Sequence, residues 1–466
     1  MGERFTSICI VFMVMAATLL LLSQQMNTHE CGDGECDPSE DWESCPEDCG
    51  EPNASEAAIE LHNPNSPFGL HGAENDIDAM VAAGIKWHRP GFHPGATFPS
   101  KTGVFDERYV NFFGNGIDVL ANLLVFSGEN GCLPSDPDEY REIVRQIVER
   151  YDGDGVDDAP EINGTTPVVR YWQIGNEVDS TGGPQSCTPE EYVEALKYYY
   201  PVIKENCHDC KVVMSGLVTD PINFLDSVLE FGGGEYYDVN DVHIFGNKDY
   251  YIGVPAVYRD LKDVQERYGY DKDIWILETG TFSGGTNNNV QSEEEQAAAM
   301  VKVYASALGS GFRKVFWAWG LYEGFGGDGN GFFDQTGLIY DGKGEYDKGE
   351  GVRKKAYYAY KVMTSKLGGC NFSEAERVSH VNENVFVYRF PKENGTMYVV
   401  WREHKQGVVI DPNSTTSLEV VGESAEITYA LTDENEDLES YTTPIINNTL
   451  ELNLNKGPVF AFVIAD

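Results

Sequence analysis

The sequence predicts an α/β architecture: a (β/α)8 TIM barrel with a small C-terminal antiparallel β-sandwich domain. Three observations carry this. Eight apolar, strand-like runs alternate with amphipathic helical patterns between residues 66 and 367. From about residue 375 the segments become short, β-rich and separated by turn signals. The length of 466 residues suits one large barrel plus a small domain. A doubly wound open sheet is the competing arrangement for the same alternation.

The eight strand candidates are SPFGLHG (66–72), GIKWHRPGF (84–92), DVLANLLVFSG (118–128), VVRYWQIGNE (168–177), KVVMSGLVTD (211–220), YDVNDVHIFG (237–246), DIWILETG (273–280) and KVFWAWG (314–320). Helices are expected between them. Tyr140, Ile143, Val144, Ile147, Val148 and Tyr151 recur at helical spacing on one face. Thr188, Pro189 and Glu191 form an N-terminal signature, and Ser292 with Glu295 repeats it. A last helix over 352–367 stops at Gly368 and Gly369. VFVYRF, MYVVWRE, EITYALT and VFAFVIAD then read as sandwich strands.

Ahead of the barrel, residues 1–30 read as a targeting segment. The apolar stretch Ile8–Leu22 follows Arg4 and is shorter than the ~20 residues a spanning helix needs. A cleaved signal peptide is favoured over an uncleaved membrane anchor, and both place the rest of the chain outside the cytoplasm, secreted or at the cell surface. Residues 31–50 hold Cys31, Cys36, Cys45 and Cys49 in an acidic, loop-rich module that two disulfides would staple. A linker (51–57), the barrel (58–369) and the sandwich (370–466) follow. The formal net charge of −43 argues against nucleic acid or an anionic membrane surface as partner. Cys132 and Cys187, on neighbouring loops of one barrel face, are expected to pair. Cys207 and Cys210 are expected to close a local bridge, leaving Cys370 unpartnered.

A barrel strand ends at the face where active sites sit, so a polar residue just past an apolar run lands there. Glu177 ends the fourth strand and Glu278 the seventh. Alone, each reads as a solvated strand-end residue. Together they are the carboxylate pair that glycoside hydrolysis uses, one acid to protonate the leaving oxygen and one carboxylate at the anomeric carbon.

With this pair, and with Asn176 directly before Glu177, the chain resembles the clan A glycoside hydrolases, the retaining β/α-barrel group that includes families 5, 10 and 39. The resemblance covers residues 60–369, and the sandwich resembles the accessory domain of several such families. It implies that Glu177 is the acid/base and Glu278 the nucleophile. It implies that Arg89 keeps the nucleophile ionised, and that Asn176 meets the sugar 2-OH. His243 matches a clan histidine that is often followed two residues on by a tyrosine. Here that position is Phe245, a departure. Trp317 and Trp319 share a strand face by alternation, and one could stack on a sugar, Trp319 being nearer the strand end. Two core tryptophans is the rival reading. His71, Trp87 and His88 are weaker candidates. A raised pKa is expected for Glu177, from partial burial and the second carboxylate.

The stretch 324–329 matches G-x-G-x-x-G, but no helix follows, so it reads as a loop over the barrel mouth and not a dinucleotide site. Asp152, Asp154, Asp157, Asp158 and Glu161 crowd a glycine-rich turn, which fits either a structural Ca2+ loop or a plain acidic loop. Catalysis by two glutamates needs no cofactor. The expected partner is a carbohydrate. The alternative is a non-catalytic carbohydrate-binding or surface-structural barrel.

Overall fold

A computed structural model describes residues 62–464, apart from 73–75, 93–101, 124–131, 135, 182–185, 287–288, 326, 328, 404–414 and 432–439. The targeting segment, the Cys-rich module and the linker lie outside the described residues. Eight parallel strands close into a ring. They are β1 (Phe68–His71), β2 (Trp87–Arg89, extended by Gly91–Phe92), β3 (Asp118–Leu123), β4 (Tyr171–Ile174), β5 (Lys211–Met214), β6 (Val239–Phe245), β7 (Asp273–Gly280) and β8 (Val315–Trp317). Consecutive strands pair, β1 also pairs with β8, and β2 pairs with β3, so no edge is left open.

One α-helix follows each strand: α1 (Ile77–Ala82), α2 (Thr102–Phe113), α3 (Pro137–Tyr151), α4 (Pro189–Asn206), α5 (Pro221–Glu230), α6 (Val254–Arg267), α7 (Glu293–Leu308) and α8 (Lys355–Leu367). The sequence signals act as expected. Thr188 and Glu191 make a reciprocal capping box at α4, and Ser292 with Glu295 does the same at α7. The face of α3 that turns inward buries Val144, Ile147, Val148 and Tyr151. Inside the barrel, Trp87, Leu120, Val213, Val239, Trp275, Leu277 and Phe316 fill the lumen. This layer is a packed plug, as such barrels require.

The C-terminal region is an antiparallel β-sandwich. Six strands make the larger sheet: β9 (Glu376–Val378), β10 (Val385–Lys392), β11 (Gly395–Arg402), β13 (Ser424–Tyr429), β14 (Ser440–Pro444) and β16 (Val459–Ile464). β12 (Thr416–Glu419) and β15 (Thr449–Leu452) pair separately. Period-two alternation gives β10 two apolar faces. Val385 and Val387 enter the sandwich core, while Tyr388 and Phe390 join the core of the barrel. Tyr251 of the barrel meets Phe386 and Trp401 edge-on, at ring separations of 5.7 and 5.5 Å.

Candidate active site

The fourth strand ends because Gly175 takes φ 82°, a left-handed conformation that glycine adopts freely. Two residues later Glu177 is itself left-handed, at φ 48°. A non-glycine residue there is uncommon, and such backbone clusters at functional sites. The turn is held from outside. The Asp179 carboxylate accepts the backbone N–H groups of Val218 (3.0 Å), Thr219 (2.8 Å) and Asp220 (2.9 Å), tying it to the loop after β5.

Strand register brings the other groups together. His243 on β6 lies opposite Glu278 on β7, and His71 on β1 opposite Arg89 on β2. Arg89 is fully buried, and each arm of its guanidinium has a partner. Nη1 donates to Glu278 Oε1 (2.6 Å), Nε to Gln173 Oε1 (2.7 Å) and Nη2 to Asn176 Oδ1 (2.7 Å). Gln173 Nε2 donates to Asp241 Oδ2 at 2.7 Å, and Asp241 Oδ2 lies 3.2 Å from His243 Nε2. His243 Nδ1 then lies 2.8 Å from Glu177 Oε1 and 3.6 Å from Glu278 Oε1. A buried chain of hydrogen bonds thus runs Glu278–Arg89–Gln173–Asp241–His243–Glu177. A Cβ at Gly216 would collide with the His243 ring, so the glycine there makes room for it.

Burial opposes a charge on His243, but the carboxylates of Glu278 and Asp241 raise it to about 10, so it is an imidazolium. That cation sets the state of Glu177. Partial burial pushes the Glu177 carboxyl up, but the hydrogen bond and charge of His243, with Arg89 beyond, outweigh burial and hold it below the usual range. The direction is opposite to that expected from two facing carboxylates, because a protonated histidine stands beside both. Burial raises the Glu278 carboxyl, against the pull of His243 and Arg89. Its Oε1 is taken by Arg89, while Oε2 is buried without a hydrogen-bond partner. His71 Nδ1 lies 2.6 Å from the Arg89 carbonyl, and its Nε2 lies 3.4 Å from Glu278 Oε1. Burial and the nearby charge of Arg89 keep His71 neutral.

The tryptophan pair divides. Trp317 is fully buried, with its indole N–H donating to the Thr336 carbonyl (2.8 Å), so it is a core residue and not a sugar platform. The strand stops at Trp317, so alternation does not extend to Trp319, which follows a cis Ala318–Trp319 peptide. Trp319 is half-buried between His71 (4.2 Å) and Phe325 (4.1 Å, stacked). The loop expected over the barrel mouth therefore reaches the site through Phe325. Trp87 belongs to the lumen plug, and His88 Nδ1 donates to the Leu70 carbonyl (3.1 Å) while the ring packs on Phe112. Both are structural.

Cys132 and Cys187 stand 5.5 Å apart at Cα and Cys207 and Cys210 5.3 Å apart, both within disulfide range, while Cys370 is buried and unpaired. Among the described residues, Asp152, Asp154 and Asp158 bring one carboxylate oxygen each within 4.8 Å of one another. Asp157 does not join them. Its φ of 52° makes it a turn residue. Burial raises the Asp152 carboxyl to about 6. Gln173, Asp241 and Asp179 were not among the expected site residues. For Gln173 and Asp241 the signal was a polar side chain inside an apolar run, in YWQIG and VNDVHIF; Asp179, in the polar stretch NEVDS, carried no such signal.

Fold and site together define a (β/α)8 barrel with paired strand-end glutamates and a C-terminal sandwich. The sequence matches no protein-family model and no curated protein. Solved structures do match. A family 39 glycoside hydrolase from Bacteroides cellulosilyticus WH2 superposes with TM-score 0.62 at 18% identity, over 85% of this chain and 80% of that one. A glucosidase from Croceicoccus marinus gives 0.61 at 14% identity, over 89% and 98%. A monomeric β-xylosidase from Caulobacter crescentus CB15 gives 0.56 at 14% identity, over 85% and 96%. The chain shares the fold of these barrel glycoside hydrolases.

Proposed function

We propose that the chain is a glycoside hydrolase that cleaves β-linked bonds of polysaccharides or oligosaccharides with retention of configuration. Glu278 is assigned as nucleophile and Glu177 as acid/base. One observation carries the reading: an oxygen of Glu177 and an oxygen of Glu278 lie within 4.8 Å of each other. Retaining pairs stand ~5–5.5 Å apart, whereas inverting pairs need ~6.5–9.5 Å to admit a water. Arg89 fixes Oε1 of Glu278, which leaves the unpartnered Oε2 as the attacking atom. Asn176, held by Arg89 at the rim, is assigned to the sugar 2-OH.

In this reading the resting site keeps its catalytic proton on His243. When substrate enters, the proton passes from Nδ1 to Glu177 along the 2.8 Å contact. Glu177 gives it to the leaving oxygen as Oε2 of Glu278 bonds to the anomeric carbon. In the second step Glu177 takes a proton from water, the hydroxide displaces Glu278, and the proton returns to His243. We further assign the chain to an exported setting, which the two cysteine pairs favour. Asp152, Asp154 and Asp158 are assigned as a structural Ca2+ site.

The test is a panel of xylan, mannan, β-glucan and galactan, with aryl β-xylosides, β-glucosides and α-L-arabinofuranosides, and Glu278→Gln as control. Release of sugar that the control lacks, with the β anomer as first product by NMR, is expected. An inverted product would sink the mechanism. No release from any substrate would favour a binding barrel.

A further inference from the structure

We propose that the cavity at the base of the barrel, on the face opposite Glu177 and Glu278, is a second binding site and takes a small ligand that carries a sulfate or phosphate group. The cavity measures about 850 Å3, within the ~300–1,000 Å3 that small-molecule sites span. It lies among the starts of the strands, where Phe68 begins β1, Tyr171 begins β4 and Asp273 begins β7, and beside the end of α8. Active sites of this fold lie at the other ends of the strands, so the proposal does not depend on the glycosidase reading.

Charge picks out the ligand. The whole chain holds 76 acidic against 33 basic residues. Among the described residues that line the cavity the balance reverses: Lys86, Arg313, Lys314 and Lys361 stand against one acid, Asp273. Lys86 lies just before β2, Arg313 and Lys314 lie just before β8, and Lys361 lies on α8, so only the fold brings them together. Like charges around one cavity repel, and one carboxylate does not balance four cations. A ligand group with two negative charges relieves that repulsion. The several oxygens of a sulfate or phosphate suit both an Arg fork and Lys ammonium groups.

Two buried groups at the cavity add to this. Lys314 is buried, and its Nζ donates to the carbonyls of Pro64 (2.6 Å) and Ser66 (3.0 Å) while standing 3.9 Å from the centre of the Trp87 ring. Burial pushes the Lys314 ammonium down to about 7, against the pull of Asp118 and Asp273, so an anion nearby would favour its charged form. Trp275, part of the lumen plug, also lines the cavity, and its indole N–H is buried with no hydrogen-bond partner. Buried donors are normally paired, and a ligand oxygen supplies the acceptor that this one lacks.

The experiment is titration calorimetry of the full chain with inorganic sulfate, inorganic phosphate, glucose 6-sulfate and glucose 6-phosphate, with glucose and acetate as controls. Saturable binding of the divalent anions is expected, and none of glucose or acetate. Tighter binding of the sugar esters would identify an esterified sugar as the ligand, and no gain from the sugar would identify a free anion; both results keep the site. Arg313 and Asp273 pair at 3.5 Å with side chains 42% and 55% exposed, so changing either leaves the core packing in place. Arg313→Gln should weaken phosphate binding about 10-fold, the scale of one charged hydrogen bond. Asp273→Asn should tighten it, because the one opposing carboxylate is gone. A pair that served only the fold would not give opposite signs. No saturable anion binding to the wild type, equal losses in the two variants, or binding that both leave unmoved would overturn the site.

Discussion

Replacing Arg89 by Met removes the one side chain that touches Glu278, Gln173 and Asn176 together. Arg89 and Glu278 are both fully buried, so no water takes over the lost bonds. Breaking a buried ion pair from one side costs about 3–5 kcal/mol, because the remaining charge stays behind uncompensated. The thermal midpoint should therefore fall well below wild type. The kinetic effect has a sign as well. Burial already raises the Glu278 carboxyl, and Arg89 is one of two cations opposing it. Without Arg89 the carboxyl rises further, and the acidic limb of kcat/KM moves to higher pH. A loss of ~10²–10³-fold at neutral pH matches removal of one preorganised charged donor. Arg89→Lys keeps the charge but cannot fill three directions, so it should fall between. Melting curves with differential scanning fluorimetry and pH–rate profiles on an aryl glycoside check both parts. An Arg89→Met enzyme with unchanged melting and an unmoved acidic limb would refute the account.

Other outcomes follow from the same geometry. Glu278→Ala should stop turnover of every substrate, whereas Glu177→Ala should keep the first step for good leaving groups and recover the second with azide; loss of azide rescue would reject the assignment. His243 has its folded pKa raised to about 10, so its stabilising contribution is complete below the unfolded value near 6.5 and disappears as pH rises through 10. The stability gap between wild type and His243→Gln should accordingly shrink from pH 7 to 10, and a constant gap in thermal melts would count against a charged His243. Chelator should lower the melting temperature and added Ca2+ restore it, with Asp154→Ala abolishing the response; an indifferent melting curve removes the metal. Trp317→Phe should lower stability with little change in KM, whereas Trp319→Ala should raise KM, and the reverse pattern would reject the division between them.

The barrel was legible because its strands are apolar runs and its helices carry capping boxes, both local signals. Glu177 and Glu278 were legible because a polar residue after such a run has one destination in this fold. The strand parity of Trp317 and Trp319 failed for a local reason: β8 ends at Trp317. The charge state of Glu177 failed for a non-local one. It is set by His243, whose own proton is held by Asp241 and Glu278, and that arrangement exists only after β4, β5, β6 and β7 lie in order in the sheet. Gln173 shows the same limit. One amide in an apolar strand is a visible anomaly, but its four bonds to Arg89, Asn122, Met214 and Asp241 come from strands β2, β3, β5 and β6. No window along the chain contains them.

The charges of the site explain why His243 matters to the proposed chemistry. Three carboxylates converge there, from Glu177, Asp241 and Glu278, with two cations, Arg89 and His243, among them. Fully ionised, the cluster holds one net negative charge. Deprotonated His243 would leave two, in a pocket where Glu278, Asp241 and His243 are buried, and uncompensated buried charge is costly. The histidine proton therefore offsets the repulsion between two carboxylates whose oxygens approach within 4.8 Å. Passing it to Glu177, as proposed, would conserve the total, so the acid would form without importing or exporting charge. In the proposed mechanism that surplus negative charge would face an anomeric carbon that becomes positive in an oxocarbenium-like transition state, where preorganised charge is most effective. Asp241→Asn would weaken the hold on that proton without touching substrate. It should shift the pH–rate profile while leaving KM near wild type, and an unshifted profile would separate His243 from the proton path.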